Sequence, residues 1–376
     1  MPIRSILFLT YHFPPEIGGI QTRVAHYMET LSNEGIRVNV FYFSLNQKKA
    51  VATNEYGCRV IASPGTIRHF PRNFFAITRA VITEKVNVIH VFSGAATLLS
   101  IAALALGRTL GIPSVASFFG REEFDLKTPS QRIGFPIALS LCTSILVNTS
   151  YTSTLLPHRH REKTRVILGG AEQSSRVQSA IAKGPVLFVG RLVKSKGIDD
   201  LLSAFKFVLL EAPNAKLVIV GDGPESGALK EMAAFQGIME SVRFTGTLRG
   251  EPLQDEYMRS AMVVLPSRSV PGEVVTETFG FSLVEGMMHG KPLIGTRHGG
   301  IPEVIRDGVN GLLVPEHSPE ELARAIVRVL RDKELATVMG DNATRIARSE
   351  FTWKAATDRL LESYNPSPPK VEPRQV

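Results

Sequence analysis

Two glutamates eight positions apart, Glu277 and Glu285, bracket the run TFGFSLV. On one continuous helix they would stand about 12 Å apart, at ~1.5 Å rise per residue. That is longer than the roughly 5–9 Å at which a pair of carboxylates hydrolyses a glycosidic bond. It suits two acids that hold the two ends of one elongated ligand. If the helix opens after Glu277, backbone N–H groups around Phe279, Gly280 and Phe281 lie between the acids. Free donors at a helix N-terminus favour an anion such as phosphate. The local expectation is a hydroxyl grip, a phosphate cradle and a second hydroxyl grip.

A second set of groups precedes it. The apolar run Val186–Val189 reads as a strand that ends in Gly190-Arg191-Leu192, with Lys196-Gly197 five residues on. An arginine fork and a lysine point charge beside one strand end make a cationic clamp for a diphosphate. Two surface cations flanking a helix start is the plainer alternative. Gly221-Asp222-Gly223-Pro224 reads as a turn that could line a nucleotide pocket. Gly246, Thr247 and Leu248 offer backbone groups at a strand end that could meet a base edge. Near the N-terminus, Gly18-Gly19 opens a helix after the strand Ile6–Leu9, again where a phosphate could sit. It is not the dinucleotide fingerprint.

These groups need strands and helices to position them, and the chain alternates between the two. Val38–Phe43, Val60-Ile61, Val88–Val91, Ser114–Ser117, Ile145–Asn148 and Arg165–Leu168 read as strands, with helices between, including Gln21–Glu34 and Phe74–Glu84. A polar stretch, Glu172–Lys183, reads as a linker. A second alternation follows to about residue 350, then a helix at about 352–364. Such patterns specify two doubly wound, Rossmann-like α/β domains, 1–175 and 184–350, with a ligand cleft at the strand C-termini. The tail 365–376, with four prolines, is expected to be disordered.

Composition narrows the class. The 376 residues are 44% hydrophobic and 21% charged, enough for two cores. Two cysteines imply a reducing compartment, without a disulfide framework or a metal cluster. No apolar stretch reaches the ~20 residues of a transmembrane helix and no signal-peptide core is present, so the expected location is cytoplasmic. Residues 1–180 carry 19 Lys and Arg against 10 Asp and Glu, whereas 181–376 carry 24 against 25. The basic first half fits an anionic membrane surface or a phosphorylated acceptor better than nucleic acid, for which no motif is visible. Within it, Arg68–Phe75 mixes aromatics and cations, with Arg79 and Lys85 beyond. Peripheral membrane association through this segment is an expectation, and an ordinary helix with a basic outer face is the alternative.

The runs LFVGRLVKSKGIDDLLSAF, GDGP, FTGTL and the paired glutamates followed by GGIPE resemble the donor half of glycosyltransferase family 4. Pro14-Pro15, Gly18-Gly19 and Val147–Ser150 resemble its acceptor half, so the likeness covers nearly the whole chain in order. The resemblance implies a GT-B fold with an interdomain cleft and a final helix that packs back on the first domain. It implies a retaining glycosyltransferase that moves a sugar from a nucleoside-diphosphate sugar to a polysaccharide, lipid-linked or small-molecule acceptor. Arg191 and Lys196 would hold the diphosphate, Glu285 the ribose, and Glu277 with the Phe279-Gly280 amides the transferred sugar. Gly19 would approach the phosphate from the other domain. The cations would stabilise the leaving group without a metal or other cofactor. A sugar-nucleotide epimerase or hydrolase of the same fold is the alternative, and a non-catalytic binder a third.

One position departs from the family. A His-Gly pair usually follows the strand Ser114–Ser117, its histidine reaching the transferred sugar, but here the pair is Phe119-Gly120. A phenyl ring cannot hydrogen-bond a 6-hydroxyl, which points to a 6-deoxyhexose or pentose donor. The alternative is that Arg121 or Glu122 replaces the histidine. His12 and His298 lie in loops expected to face the cleft.

Overall fold

A computed structural model describes residues 2–14, 19–44, 49–92, 94–120, 124, 126, 128–172, 184–272 and 277–365. Grouping residues by contact divides the chain into two units. The first takes the chain up to Val147, Ser153–Ile167 and the stretch from Thr357, and the second takes Asn148–Thr152 and Leu168–Ala356. The linker expected at 172–183 lies outside the described residues except for Glu172, and so does the tail beyond Asn365.

The first unit runs β1 (Ser5–Thr10), α1 (Gly19–Asn33), β2 (Arg37–Ser44), β3 (Val51–Glu55), β4 (Cys58–Pro64), α2 (Phe70–Thr83), β5 (Val88–Val91), α3 (Leu98–Thr109), β6 (Ser114–Phe118), α4 (Pro129–Leu141), β7 (Ser144–Val147), the end of α5 (Ser150–Thr154), whose residues up to Thr152 group with the second unit, and β8 (Thr164–Val166). Its strands order as β3-β4-β2-β1-β5-β6-β7-β8, parallel except for the antiparallel β3–β4 pair. Every residue of β1 is buried, as a central strand covered on both faces must be. The strand expected over Ile145–Asn148 stops at Val147, because Asn148 turns its side chain to Thr278.

The second unit runs β9 (Val186–Val189), α6 (Ile198–Glu211), β10 (Leu217–Val220), α7 (Ser226–Phe235), β11 (Val242–Gly246), α8 (Glu251–Arg259), β12 (Met262–Leu265), α9 (Phe281–Met288), β13 (Leu293–Thr296), α10 (Ile301–Val304), β14 (Gly311–Val314), α11 (Pro319–Arg331) and α12 (Lys333–Glu350), while α13 (Trp353–Tyr364) starts in it and belongs to the first unit from Thr357 on. Its sheet is wholly parallel, ordered β11-β10-β9-β12-β13-β14. The chain winds outward from β9 to β11, then returns to lay β12 on the other side of β9. That reversal is a topological switch point, where the loops after two adjacent strands diverge and leave a crevice. One core cluster takes in the sheet residue Leu187, Phe205 and Ile326 of the paired helices α6 and α11, and Leu283 of α9.

Candidate functional site

The loops after β9 and β12 carry the expected catalytic residues. Gly197 sits at φ +62, and a Cβ there would stand 2.1 Å from the Pro266 carbonyl oxygen. Only glycine lets the loop that carries Lys196 lie against the loop that follows β12. The Arg268 amide donates to the Ser195 carbonyl and closes the same contact. Glu277 is fixed in the same manner from the other side. A Cβ on Gly299 (φ +57) would meet its carbonyl oxygen at 2.0 Å, and one on Gly300 would meet that of Thr278 at 2.3 Å. The Gly-Gly turn is therefore the bed on which Glu277 lies.

Held this way, Lys196 Nζ donates to Glu277 Oε2 at 2.5 Å. Ser267 donates to the same oxygen at 3.2 Å, and the Phe279 amide donates to Oε1 at 3.3 Å. Burial pushes the Glu277 carboxyl up, but the Lys196 charge and hydrogen bond, the Phe279 amide and Ser267 outweigh it and hold the group below the ordinary carboxylate range. Glu277 is an anion at neutral pH and, among the described residues, has one lone-pair direction on Oε1 still to fill. Among the same residues Lys196 gives only one of its three donors, to Glu277.

Arg191 stands differently. It is exposed, and among the described residues its guanidinium makes no hydrogen bond or ion pair. Its loop is locked from below by the glycine-rich turn after β10. The Leu192 amide donates to the Asp222 carbonyl, the Leu192 carbonyl accepts from the Glu225 amide, and a Cβ on Gly223 would fall 2.4 Å from that Leu192 carbonyl oxygen. Gly221 (φ +137) packs on Gly190 and donates to the Gly246 carbonyl, so Gly190, Gly221 and Gly246 form one backbone layer at adjacent strand ends. Thr247 is exposed beyond it, while Leu248 leans on the core.

Three expectations change. Glu277 is not helical, since α9 begins at Phe281 behind a left-handed Gly280 (φ +89), so the rise along one helix does not set its separation from Glu285. The Phe279 amide is not free, because the carboxylate of Glu277 already accepts from it. The Phe279 ring is buried against Phe281 and Phe351, which is a core role. The Gly280 amide has no acceptor among the described residues, so of the expected cradle that donor is open.

Glu285, half-buried one turn into α9, accepts from the buried Tyr257 hydroxyl at 2.6 Å. Burial raises its pKa; the tyrosine hydrogen bond opposes that, and Glu172 adds to it. Its second oxygen makes no hydrogen bond within the described residues. Tyr257 is held flat against His289, which bonds the Glu285 carbonyl and Gln254. Sequence reasoning did not reach Tyr257, which lies 28 positions away on α8. Ser267 was also missed, although a hydroxyl two residues past a strand at a switch point is a readable signal.

His298 bonds Glu316 at 2.8 Å, and Glu316 also accepts from the amide and hydroxyl of Ser269. Asn148 and Thr149 bond the side chain and carbonyl of Thr278, and Glu303 accepts from the Ser150 and Tyr151 amides. In the first unit Gly19 is the exposed first residue of α1, and Gly18 lies outside the described residues. His12 closes a short turn with Thr10. Phe119 is buried beneath the guanidinium of Arg23, 4.0 Å from its ring centroid. Arg23 also donates to the Ile167 carbonyl. Arg121 and Glu122 lie outside the described residues. Among the described residues no cluster of His, Cys, Asp and Glu could hold a metal ion.

A mostly parallel α/β sheet in each unit, with Lys196, Ser267 and Glu277 gathered at the switch point of the second, is the architecture of the GT-B class. The family model for glycosyl transferases group 1 matches residues 172–346, and that for glycosyltransferase family 4 matches 17–173. The chain is thus a family 4-like glycosyltransferase. It is 27% identical to the sulfoquinovosyl transferase of Arabidopsis thaliana, over 97% of this chain and 74% of that one. It is 26% identical to a GDP-mannose-dependent phosphatidylinositol monomannoside mannosyltransferase of Mycolicibacterium smegmatis, over 95% of this chain and 97% of that one. Among solved structures it is similar to HepE of Anabaena in complex with UDP, at TM-score 0.75 and 19% identity, covering 96% of this chain and 99% of the other. Sucrose-phosphate synthase from Thermosynechococcus elongatus gives TM-score 0.74 at 21% identity, covering 96% and 98%. No helix among the described residues is long and apolar enough to cross a membrane.

Proposed function

We propose that the chain transfers a sugar from a nucleoside-diphosphate sugar to an acceptor with retention at the anomeric carbon, and that the second unit holds the donor. The observation that carries this is the Lys196–Glu277 pair at the β9–β12 switch point, its lysine on the loop that also carries Arg191, a cation without a partner among the described residues. Arg191 and the two remaining donors of Lys196 receive the diphosphate. They stabilise the charge that gathers on it as the glycosidic bond breaks. Glu277 takes a sugar hydroxyl on Oε1, with Lys196 keeping it ionised. Glu285 takes ribose hydroxyls on the oxygen that Tyr257 leaves open. The departing phosphate oxygen accepts the acceptor's proton on the face it leaves, so no further base is required. With two cations on the leaving group, no metal is required either.

Two relatives bear on the substrates: one is named for GDP-mannose and a phosphatidylinositol mannoside, another for a sulfoquinovosyl group. They support a nucleotide-sugar donor and favour a lipid-linked acceptor over a polysaccharide. Phe119 in place of histidine supports a donor without a 6-hydroxyl. The test is transfer from a panel of UDP- and GDP-hexoses, 6-deoxyhexoses and pentoses to lipid and oligosaccharide acceptors, with the product anomer read by NMR. Acceptor-dependent consumption and a retained anomer are expected. Inversion, or consumption without any acceptor, would overturn the proposal.

A further inference from the structure

The outer helical layer of the first unit has a composition that its fold does not require. Helices α2, α3 and α4 pack side by side over one core and contain no Asp or Glu at all. The rotation of α2 is fixed by Asn73, which is buried, donates to the Pro64 carbonyl at 2.8 Å and accepts from Ser63 at 2.7 Å. With Asn73, Ile77 and Val81 inward, the opposite stripe is Arg72, Phe75, Arg79 and Ile82, all exposed at helical spacing. Phe75 is 70% exposed and Ile82 66%, far more than an ordinary core-facing residue leaves in water. On α4, Ile133 is 65% exposed beside the exposed Arg132. The first carboxylate after α2, Glu84, is turned toward Arg37 and Arg59 instead.

A merely solvated basic face has no use for an outward phenylalanine and isoleucine between its arginines. Apolar side chains that alternate with cations along a helix lying flat, without carboxylates to repel phosphate, match the headgroup region of a bilayer. We propose that α2, with the neighbouring face of α4, docks on an anionic lipid surface. Phe75 and Ile82 enter the acyl boundary, and Arg72 and Arg79 meet the lipid phosphates. The surface association is independent of which sugar is transferred.

The experiment is flotation of the full chain, without substrates, on phosphatidylcholine vesicles prepared with and without phosphatidylglycerol. Association with the anionic vesicles only, weakened by added salt, is expected. R72Q/R79Q should lower the partition coefficient on the order of fivefold per arginine, and F75S/I82S should lower it at unchanged charge. All four side chains are exposed, so thermal unfolding should report both variants as folded. An F75W variant should blue-shift its added emission on anionic vesicles. Equal binding to neutral vesicles, no binding, or binding that survives both double substitutions would overturn the proposal. So would concentration-dependent self-association that the same substitutions abolish, which would make the face an interface between copies.

Discussion

Lys196 Nζ stands 2.5 Å from Glu277 Oε2 across 81 residues of chain, and each group makes the other usable. The lysine keeps a buried carboxylate ionised, and the carboxylate aims the lysine while leaving two of its donors unspent. Removing one partner strands the other's charge. K196M should therefore destabilise the chain by about 3–5 kcal/mol and K196M/E277M by clearly less, the pattern of a buried ion pair. Transfer should fall at least about 100-fold in either. Chemical denaturation and initial rates measure both; a K196M/E277M loss equal to the sum of the K196M and E277M losses would show that the two side chains act separately.

The same pair sets a pH dependence. Glu277 is held below its unfolded value, so its contribution is full above the unfolded carboxylate pKa of about 4.3 and is lost as pH falls through the folded value. Acid unfolding of E277Q should be shallower than that of the parent. Parallel curves would remove Glu277 from the account.

Glu285 has the opposite sign. Its pKa is raised, so ionising it lowers stability as pH climbs above the unfolded value and up to the folded one. At neutral pH E285Q should melt higher than the parent, since the amide oxygen still accepts from Tyr257, yet bind nucleoside diphosphates more weakly. A variant that melts higher and binds equally well would place the ribose elsewhere. Lys291 offers a comparison with a buried cation: wholly buried against the Met258 carbonyl, it is pushed down by burial to about 8. Stability should rise with pH from about 8 toward the unfolded lysine value of about 10.4, and K291M should flatten that rise.

The glycine bed under Glu277 predicts a position effect. G299A places a methyl against the Glu277 carbonyl at a left-handed φ and should destabilise on the order of 3 kcal/mol. G227A, with nothing within 4 Å and a helical position in α7, should be neutral or mildly stabilising. Thermal unfolding of the two variants compares them directly.

Phe119 predicts donor choice. A 6-deoxyhexose donor should turn over roughly 10- to 100-fold better than its 6-hydroxylated parent, and F119H should narrow the ratio. Preference for the 6-hydroxylated sugar in the parent enzyme would show that another group meets that hydroxyl.

Both sheets were legible because their central strands are short, fully apolar runs between turn residues, as in Val186–Val189 before Gly190. β3 was not, since VATNE is exposed from Val51 to Asn54 and carries no apolar pattern. Nor was α12, an 18-residue polar helix whose interior Gly340 reads as a breaker. A Cβ at Gly340 would strike the Gly290 carbonyl at 2.4 Å, so the residue serves packing against the end of α9. At the site, residue types and spacing singled out Arg191, Lys196, Glu277 and Glu285 one by one as candidates. Their partners Tyr257 and Ser267, and the use of the Phe279 amide by Glu277, depend on tertiary contacts that no local spacing encodes.

Titration calorimetry of nucleoside diphosphates into the parent and R191A tests the central claim most directly. At least one of UDP, GDP, ADP or dTDP should bind the parent without added metal, and R191A should bind it about 10- to 100-fold more weakly, as loss of a charge-assisted contact to phosphate requires. Binding of that diphosphate unchanged by R191A, or no binding of any of them, would contradict it.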